Sequence, residues 1–308
     1  MQIIQNTTTF RIPEKTAVAI GKFDGIHKGH RLLLDEIIKA KEKGLCAAVF
    51  TFDPVPAAFF SGQAVKELTT LQEKRECFRK MGIDYLVEYP LNERSASVKP
   101  EEYVKGFLLD QMQAALVVAG ADITFGEKGA GNAALLKDIA GRNACDVKIV
   151  DKLQYQGKDI SSTLVRELVE QGEMEEAAKL LGEPFFLYGT VVHGNEIGRT
   201  IGFPTINVMP PSNKLLPPNG VYFSKVIVEG HAYNGITNIG NKPTVGEGYQ
   251  RGAETFLYDF DGNLYDSQVK TELLHFVRKE CKFSDFAELK DAIADNVLQG
   301  KVYFGIES

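Results

Sequence analysis

The chain has 308 residues, more than one compact core usually holds, so two domains are expected. Its 35 Lys and Arg against 41 Asp and Glu leave a net charge of -6, a long-range field that repels polyanions and argues against nucleic acid as a partner. Hydrophobic residues at 44% and charged residues at 25% are those of an ordinary globular protein, and no apolar run approaches the roughly 18 residues of a membrane span.

The amino-terminal MQIIQNTTTFRIPEK lacks the basic and apolar segments of a secretory signal, and Cys46, Cys77, Cys145 and Cys281 form no C-x-x-C pair. The expectation is a cytoplasmic protein with reduced thiols and no membrane partner. In the first half, TAVAIG, CAAVFTF, DYLVEY, ALVVAG and CDVKIV are short and rich in small and β-branched apolar residues. They alternate with HRLLLDEIIKAKEK, TLQEKRECFRKM, PEEYVKGFLLDQMQ and NAALLKDIAG, whose apolar residues recur at helical spacing. Thr70 with Glu73 makes a capping box, and Pro100 suits a first helical turn. Strand and helix repeated in this way predict an α/β, Rossmann-like parallel sheet with ligands at the carboxyl ends of its strands.

Two short helices, STLVRELVEQG and EMEEAAKLLG, end at Gly172 and Gly182, and Gly182-Glu183-Pro184 reads as the boundary between domains 1–182 and 183–308. Beyond it FFLYGTVVHG, VYFSKVIVEG, HAYNGITNIG, AETFLYDFDG and SQVKTELLHFVR predict strands, with a hairpin signal at Asp261-Gly262-Asn263. SDFAELKDAIADNVLQG predicts a closing helix, so the second domain is expected to be a small antiparallel β-barrel with a carboxy-terminal helix. The period-two spacing of Phe256, Tyr258 and Phe260 assigns them to the barrel core.

The stretch GKFDGIHKGH, residues 21–30, lies where the first strand gives way to a helix. A helix starting near Gly29 offers unpaired amides and a positive dipole end to an anion. Gly21, Gly25 and Gly29 permit sharp turns and close approach, and His27 and His30 can donate ring N–H groups to phosphate oxygens. There is no G-x-x-x-x-G-K-[ST] and no strand-linked G-x-G-x-x-G, so this is neither a P-loop nor a dinucleotide fingerprint. A two-histidine zinc site lacks further ligands at metal spacing. Taken by itself, a histidine at a helix start is also compatible with a cap or a core residue.

GKFDGIHKGH resembles the signature of the H-x-G-H nucleotidyltransferases, and the whole chain resembles the bacterial bifunctional riboflavin kinase/FMN adenylyltransferases. The resemblance rests on FTFDPVP at 50–56, GADITFG at 120–126, ISSTLVRE at 160–167, GRTIGFPTIN at 198–207, LPPNGVY at 216–222, NIGNKPT at 238–244 and AETFLYDFDGNLY at 253–265. It implies that the amino-terminal half transfers AMP from ATP to FMN, with His27 and His30 on the ATP phosphates. Gly21, Phe23, Asp24, Gly25, Gly29, Asp53 and Asp122 then belong to the motifs around the nucleotide, and Ser161, Ser162, Thr163 and Arg166 match the second phosphate-contacting motif. In the second half the resemblance assigns Gly198, Arg199 and Gly202 to the phosphate loop, and Thr205 and Asn207 to Mg²⁺ and nucleotide phosphates. Glu254 matches the base that accepts the ribityl hydroxyl proton.

The implied small-molecule partners are ATP, riboflavin and FMN, with FAD as product and Mg²⁺ at the reaction sites; a homo-oligomer is compatible with the reading. Val55, Ile123, Glu183 and Phe185 depart from the family pattern, mostly in or beside the adenylyltransferase half. Two alternatives therefore stand beside the bifunctional enzyme: a chain with riboflavin kinase activity alone, or a flavin sensor without turnover.

Overall fold

In the computed structural model, residues 1–194, 202–243 and 249–307 are described. The alternating pattern of the first half builds six strands: β1 (Gln2–Gln5), β2 (Thr16–Ile20), β3 (Cys46–Asp53), β4 (Tyr85–Pro90), β5 (Ala114–Gly120) and β6 (Asp146–Val150). All neighbouring pairs are parallel, in the order β1-β4-β3-β2-β5-β6. Strand β1 has no counterpart in the expected elements. Its four residues, QIIQ, are too few to display a period, and it is held by pairing with β4.

Burial on both faces explains the apolar runs. In β2, Val18 and Ile20 enter one cluster with Phe50, Phe107 and Leu136, while Ala17 and Ala19 enter another with Leu33, Leu34, Ile37 and Phe78. The small alanines let the Lys28–Lys39 helix lie close against that second face. From β2 the chain winds to β3 and β4 on one side, then crosses to β5 and β6 on the other. The carboxyl end of β2 is therefore the switch point where such a sheet opens a ligand crevice.

The segment after Pro100 departs from the expected α-helix. Pro100–Glu102 makes one α-turn and Tyr103–Gln111 continues as a π-helix, closed by Met112 N–H donating to the Phe107 carbonyl at 3.0 Å. Tyr103, Val104, Phe107 and Leu108 are buried by it, a spacing that either pitch satisfies, so periodicity alone does not separate the two.

The chain divides into two compact units, Met1–Ser162 and Thr163–Ser308, and they part twenty residues before the expected boundary at Gly182. A short hairpin, β7 (Gln154–Tyr155) and β8 (Lys158–Asp159), closes the first unit. The helices Ser162–Gln171 and Met174–Leu181 lead into the second, where the latter packs against β9 (Phe185–Val192) and the last strand. The remaining strands are β10 (Thr205–Val208), β11 (Gly220–Val228), β12 (His231–Pro243), β13 (Tyr249–Leu257) and β14 (Gln268–Lys279). They close an antiparallel barrel in the order β10-β13-β12-β11-β14-β9, and a helix, Phe286–Phe304, follows.

Two expectations for the barrel are corrected. The Asp261-Gly262-Asn263 signal does not join a tight hairpin, because β13 ends at Leu257 and β14 begins at Gln268. The turn chemistry acts inside that connection, where Asn263 Oδ1 accepts from Tyr265 N–H at 2.9 Å. The aromatic set of β13 faces outward instead of into the barrel. Ala253, Thr255 and Leu257 are the fully buried alternate set, whereas Tyr258 Oη donates to the Val297 carbonyl of the closing helix at 2.6 Å. Phe256 packs in the same outer cluster with Val297 and Phe304, and Phe260 lies half-buried against Tyr233. Period two was correct, but it does not tell which face is which when a helix covers the outside.

The barrel interior instead carries hydroxyls: Thr237 Oγ1 lies 2.8 Å from both Ser224 Oγ and Thr255 Oγ1. At the barrel mouth Gly220 has φ +153°, and a Cβ there would stand 2.2 Å from the Arg278 carbonyl oxygen. Gly220→Ala is expected to destabilise the chain by at least about 1–3 kcal/mol, the usual cost of overpacking. Chemical denaturation measures this, and an unchanged midpoint would contradict the packing described.

Candidate functional site

The first site is built at the end of β2. The chain passes through three residues with positive φ, Phe23 at +50°, Gly25 at +87° and Ile26 at +44°, before the helix begins at Lys28. Positive φ is costly for a β-branched residue such as Ile26, so this turn must be held from outside. Asp24 and Gly25 supply the attachment points. The Asp24 carboxylate accepts from Thr69 N–H at 3.1 Å, and Gly25 N–H donates to Thr69 Oγ1 at 2.9 Å. The Asp24 carbonyl accepts from Ser162 Oγ at 2.8 Å.

The glycines serve the loop itself. A Cβ at Gly21 would meet the Phe23 ring at 3.1 Å, and one at Gly29 would meet the His27 ring at 3.2 Å. Only Gly25 is required by its backbone conformation. A side chain at Gly21 or Gly29 would crowd Phe23 or His27 of the same loop.

His27 is the N-cap of the helix, with Nδ1 accepting from His30 N–H at 3.3 Å. An accepting Nδ1 carries no proton, so the neutral ring holds its proton on Nε2 and can donate from there. The two imidazoles stack, with centroids 3.8 Å apart and planes 17° from parallel, and Phe23 packs against His30 at 5.2 Å. His27 is only 6% exposed, and burial lowers its pKa from 6.5 to about 4 despite the opposing charge of Asp122. His30 is also pushed well below its ordinary value, by burial first and then by His27 and Lys74. Its Nδ1 is enclosed without a hydrogen-bond partner. The pair is therefore neutral at pH 7, because burial disfavours the charged form of both rings.

The other expected residues of this half lie at strand ends and on the helix that follows. Asp122, just beyond β5, pairs with Lys152 at 3.1 Å, and its charge reaches His27. Asp53 ends β3, exposed at the strand tip, and its charge acts on Arg75. The backbone of Ile160 passes behind Gly29, whose Cβ would lie 3.9 Å from the Ile160 oxygen. Ser161 and Ser162 thus stand beside the H-x-G-H turn, 138 residues from Asp24 in sequence for the Ser162 contact. Thr163 and Arg166 follow on the Ser162–Gln171 helix, exposed and half-buried respectively, in the second compact unit.

The barrel carries the second group. Register places Asn207 of β10 and Asn238 of β12 on either side of Glu254 in β13. Thr205 Oγ1 donates to Glu254 Oε1 at 2.8 Å. Asn207 is buried, and a Cβ at Gly194 would lie 2.3 Å from its Nδ2, so glycine is required for the chain to pass. Gly202 takes φ +90° ahead of Phe203-Pro204, a turn conformation that glycine adopts freely. Gly198 and Arg199 lie outside the described residues. Thr205, Asn207 and Glu254 present hydroxyl, amide and carboxylate oxygens on one face, a donor set that suits a hard cation such as Mg²⁺.

The sequence reading did not single out Thr69, Lys74 or Asn238. Asn238 stood in a quoted motif, and its register with Glu254 becomes visible only when the barrel closes. Thr69 lies in KELTT, which carries no pattern of its own. The departures from the family pattern have local explanations. Glu183 pairs with Lys270 at 2.8 Å, and Phe185 lies under Lys214 Nζ at 4.5 Å, so both belong to the barrel unit's own packing. Ile123 packs against the sheet core, and Val55 stands at the N-cap position of the short Pro56–Ser61 helix without a side-chain cap bond.

The chain thus carries two clusters of polar side chains, one at a histidine-capped helix start on a parallel sheet and one around Glu254 on a closed barrel. The model of the FAD synthetase family matches residues 9–164, and the model of the riboflavin kinase family matches residues 181–304. The bifunctional riboflavin kinase/FMN adenylyltransferase of Bacillus subtilis is 37% identical over 94% of this chain and 93% of its own length. That of Escherichia coli is 33% identical over 95% of this chain and 94% of its own. The chain belongs to the bifunctional riboflavin kinase/FMN adenylyltransferase family. A crystallised chain described as a macrolide-efflux protein from Streptococcus pneumoniae shares the fold, with TM-score 0.81 and 29% identity over 100% of this chain and 99% of that one. Among the described residues no helix is long and apolar enough to cross a membrane.

The lowered histidine pKa values predict a pH dependence. The folded chain binds fewer protons at His27 than the unfolded chain between pH 6.5 and about 4. The stability from neutral, buried His27 is thus fully present above 6.5 and lost as pH falls toward about 4. His30 acts in the same direction. Denaturant titrations of wild type and a His27→Gln/His30→Gln variant should show a shallower acid decline in the variant; parallel curves would contradict the assignment.

Proposed function

We propose that the chain adenylylates FMN at the H-x-G-H turn and phosphorylates riboflavin on the barrel face that bears Glu254. ATP is the donor in both reactions: phosphorylation of riboflavin gives FMN and ADP, and adenylylation of FMN gives FAD and pyrophosphate. The observation that carries the adenylyl-transfer assignment is the meeting of the two phosphate motifs through the Ser162–Asp24 bond, beside a helix start capped by a neutral histidine. We assign the adenylyltransferase to 1–182 and the kinase to 183–308, in the cytoplasm.

In adenylyl transfer an FMN phosphate oxygen attacks the α-phosphorus of ATP, and the bond to pyrophosphate breaks. The chain's part is to hold the triphosphate and meet the charge that accumulates on it. The amides of Lys28 and Gly29 precede any intrahelical acceptor and sit at the positive end of the helix. His27 donates from Nε2, and the enclosed His30 ring behind it gains a proton more readily once phosphate charge arrives. Ser161 adds a hydroxyl beside the turn, while the Ser162 hydroxyl holds the turn through its bond to the Asp24 carbonyl.

In phosphoryl transfer the ribityl hydroxyl attacks the γ-phosphorus of ATP, the bond to the bridging oxygen breaks, and ADP leaves. Glu254 accepts its proton, and the Thr205 hydroxyl bond orients that carboxylate before substrate arrives. Thr205 and Asn207 would hold Mg²⁺, which when bound neutralises charge on the nucleotide phosphates.

Two substitutions separate the centres. His30→Ala is expected to abolish most FAD formation while FMN formation from riboflavin persists, as resolved by chromatography of the products; equal loss of both activities would contradict separate sites. Glu254→Gln is expected to lower kinase kcat by about 10²–10⁴, the usual weight of a positioned base, with ATP binding largely kept. Unchanged turnover would remove Glu254 from that role.

A further inference from the structure

The H-x-G-H turn is strained at Phe23 and Ile26, yet it must place His27 closely enough to cap the helix and stack on His30. What holds it is a segment far away in sequence. Thr69 spans the turn at two successive residues, its N–H on the Asp24 carboxylate and its Oγ1 taking Gly25 N–H. Gly25 and Ile26 are the two left-handed residues immediately before His27.

Thr69 is itself fixed from both sides. Ahead of it, Glu67 is tied by an ion pair at 3.0 Å to Lys74, whose side chain is only 2% exposed, so the chain folds back on its own helix. Behind it, Thr70 opens that helix, Leu71–Lys80, with a complete capping box: Thr70 Oγ1 accepts from Glu73 N–H, and Thr70 N–H donates to Glu73 Oε2. A buried ion pair and a reciprocal cap leave Thr69, 4% exposed, with little freedom to follow the turn if the turn moves.

We infer that Thr69 is a positioning residue for adenylyl transfer: its hydroxyl and amide lock the strained turn that presents His27 and the helix start to the phosphates. The inference rests on the assignment of that turn to ATP. Thr69 touches no reacting atom; it acts through Asp24 and Gly25. Displacement of a catalytic group by about 1 Å from a change remote from the chemistry can cost on the order of 10² in rate.

The test uses the full chain with Thr69→Val, which keeps shape and the backbone amide but removes the acceptor for Gly25 N–H, and Thr69→Ser, which restores it. FMN adenylylation by Thr69→Val should fall roughly 10- to 100-fold in kcat. Riboflavin phosphorylation by the same preparation should be unchanged, and Thr69→Ser should recover most of the loss. The ring protons of His27 supply a second readout by NMR. In Thr69→Val its titration midpoint should rise from about 4 toward 6.5 as the ring is released from its cap, and in Thr69→Ser it should stay low.

Wild-type adenylylation by Thr69→Val, or parallel loss of both activities that Thr69→Ser also shows, would overturn the inference. If wild type itself formed no FAD, the assignment of the turn to ATP would fail. The His27 titration would then decide the role of Thr69 by itself, an unchanged midpoint in Thr69→Val overturning it.

Discussion

The hydrogen bond from His30 N–H to His27 Nδ1 is the constraint around which the first unit is arranged. It makes an imidazole do what a serine or aspartate usually does at a helix start, and in doing so it settles the tautomer of the ring. A conventional cap would end its role there. Here the capping group keeps a second nitrogen that still bears a proton, beside amides that the helix leaves open. Burial keeps both rings neutral at pH 7, so the turn carries little positive charge of its own. The fold serves this bond by burying both faces of β2, by stopping that strand at the switch point, and by steering the chain through left-handed residues into the helix.

The barrel solves a different problem. Its polar face is fixed by cross-strand register without a loop: Asn207, Glu254 and Asn238 are direct neighbours on three strands, and Thr205 stands one pleat away with its hydroxyl on the Glu254 carboxylate. A site built on strands is stiffer than one built on loops. The closing helix stabilises the same face, since Tyr258, on the outward set with Glu254 and Phe256, is bonded to the Val297 carbonyl.

The parallel sheet and the barrel were legible because each imposes a local pattern: apolar runs buried on two faces, and short strands with turns at regular spacing. What was not legible depends on pairing at a distance. Phe256 and Tyr258 have the spacing of an interior set, yet the helix over the barrel makes the outer face apolar as well, so alternation cannot rank the two. Tyr103–Gln111 takes a wider pitch that its buried residues tolerate as readily as an α-helix. Thr69 shows no motif, because its task is fixed by contacts to Asp24 and Gly25, more than forty residues away. In GKFDGIHKGH, Gly21 and Gly29 leave room for the Phe23 and His27 rings of their own loop, a close packing that the sequence does not display.

The most direct measurement is a crystal structure of the chain soaked with a non-hydrolysable ATP analogue and FMN. The account predicts triphosphate density at the amides of Lys28 and Gly29, with an oxygen within hydrogen-bonding distance of His27 Nε2. Nucleotide bound elsewhere, with the His27–His30 stack unaltered and touching only protein, would contradict it.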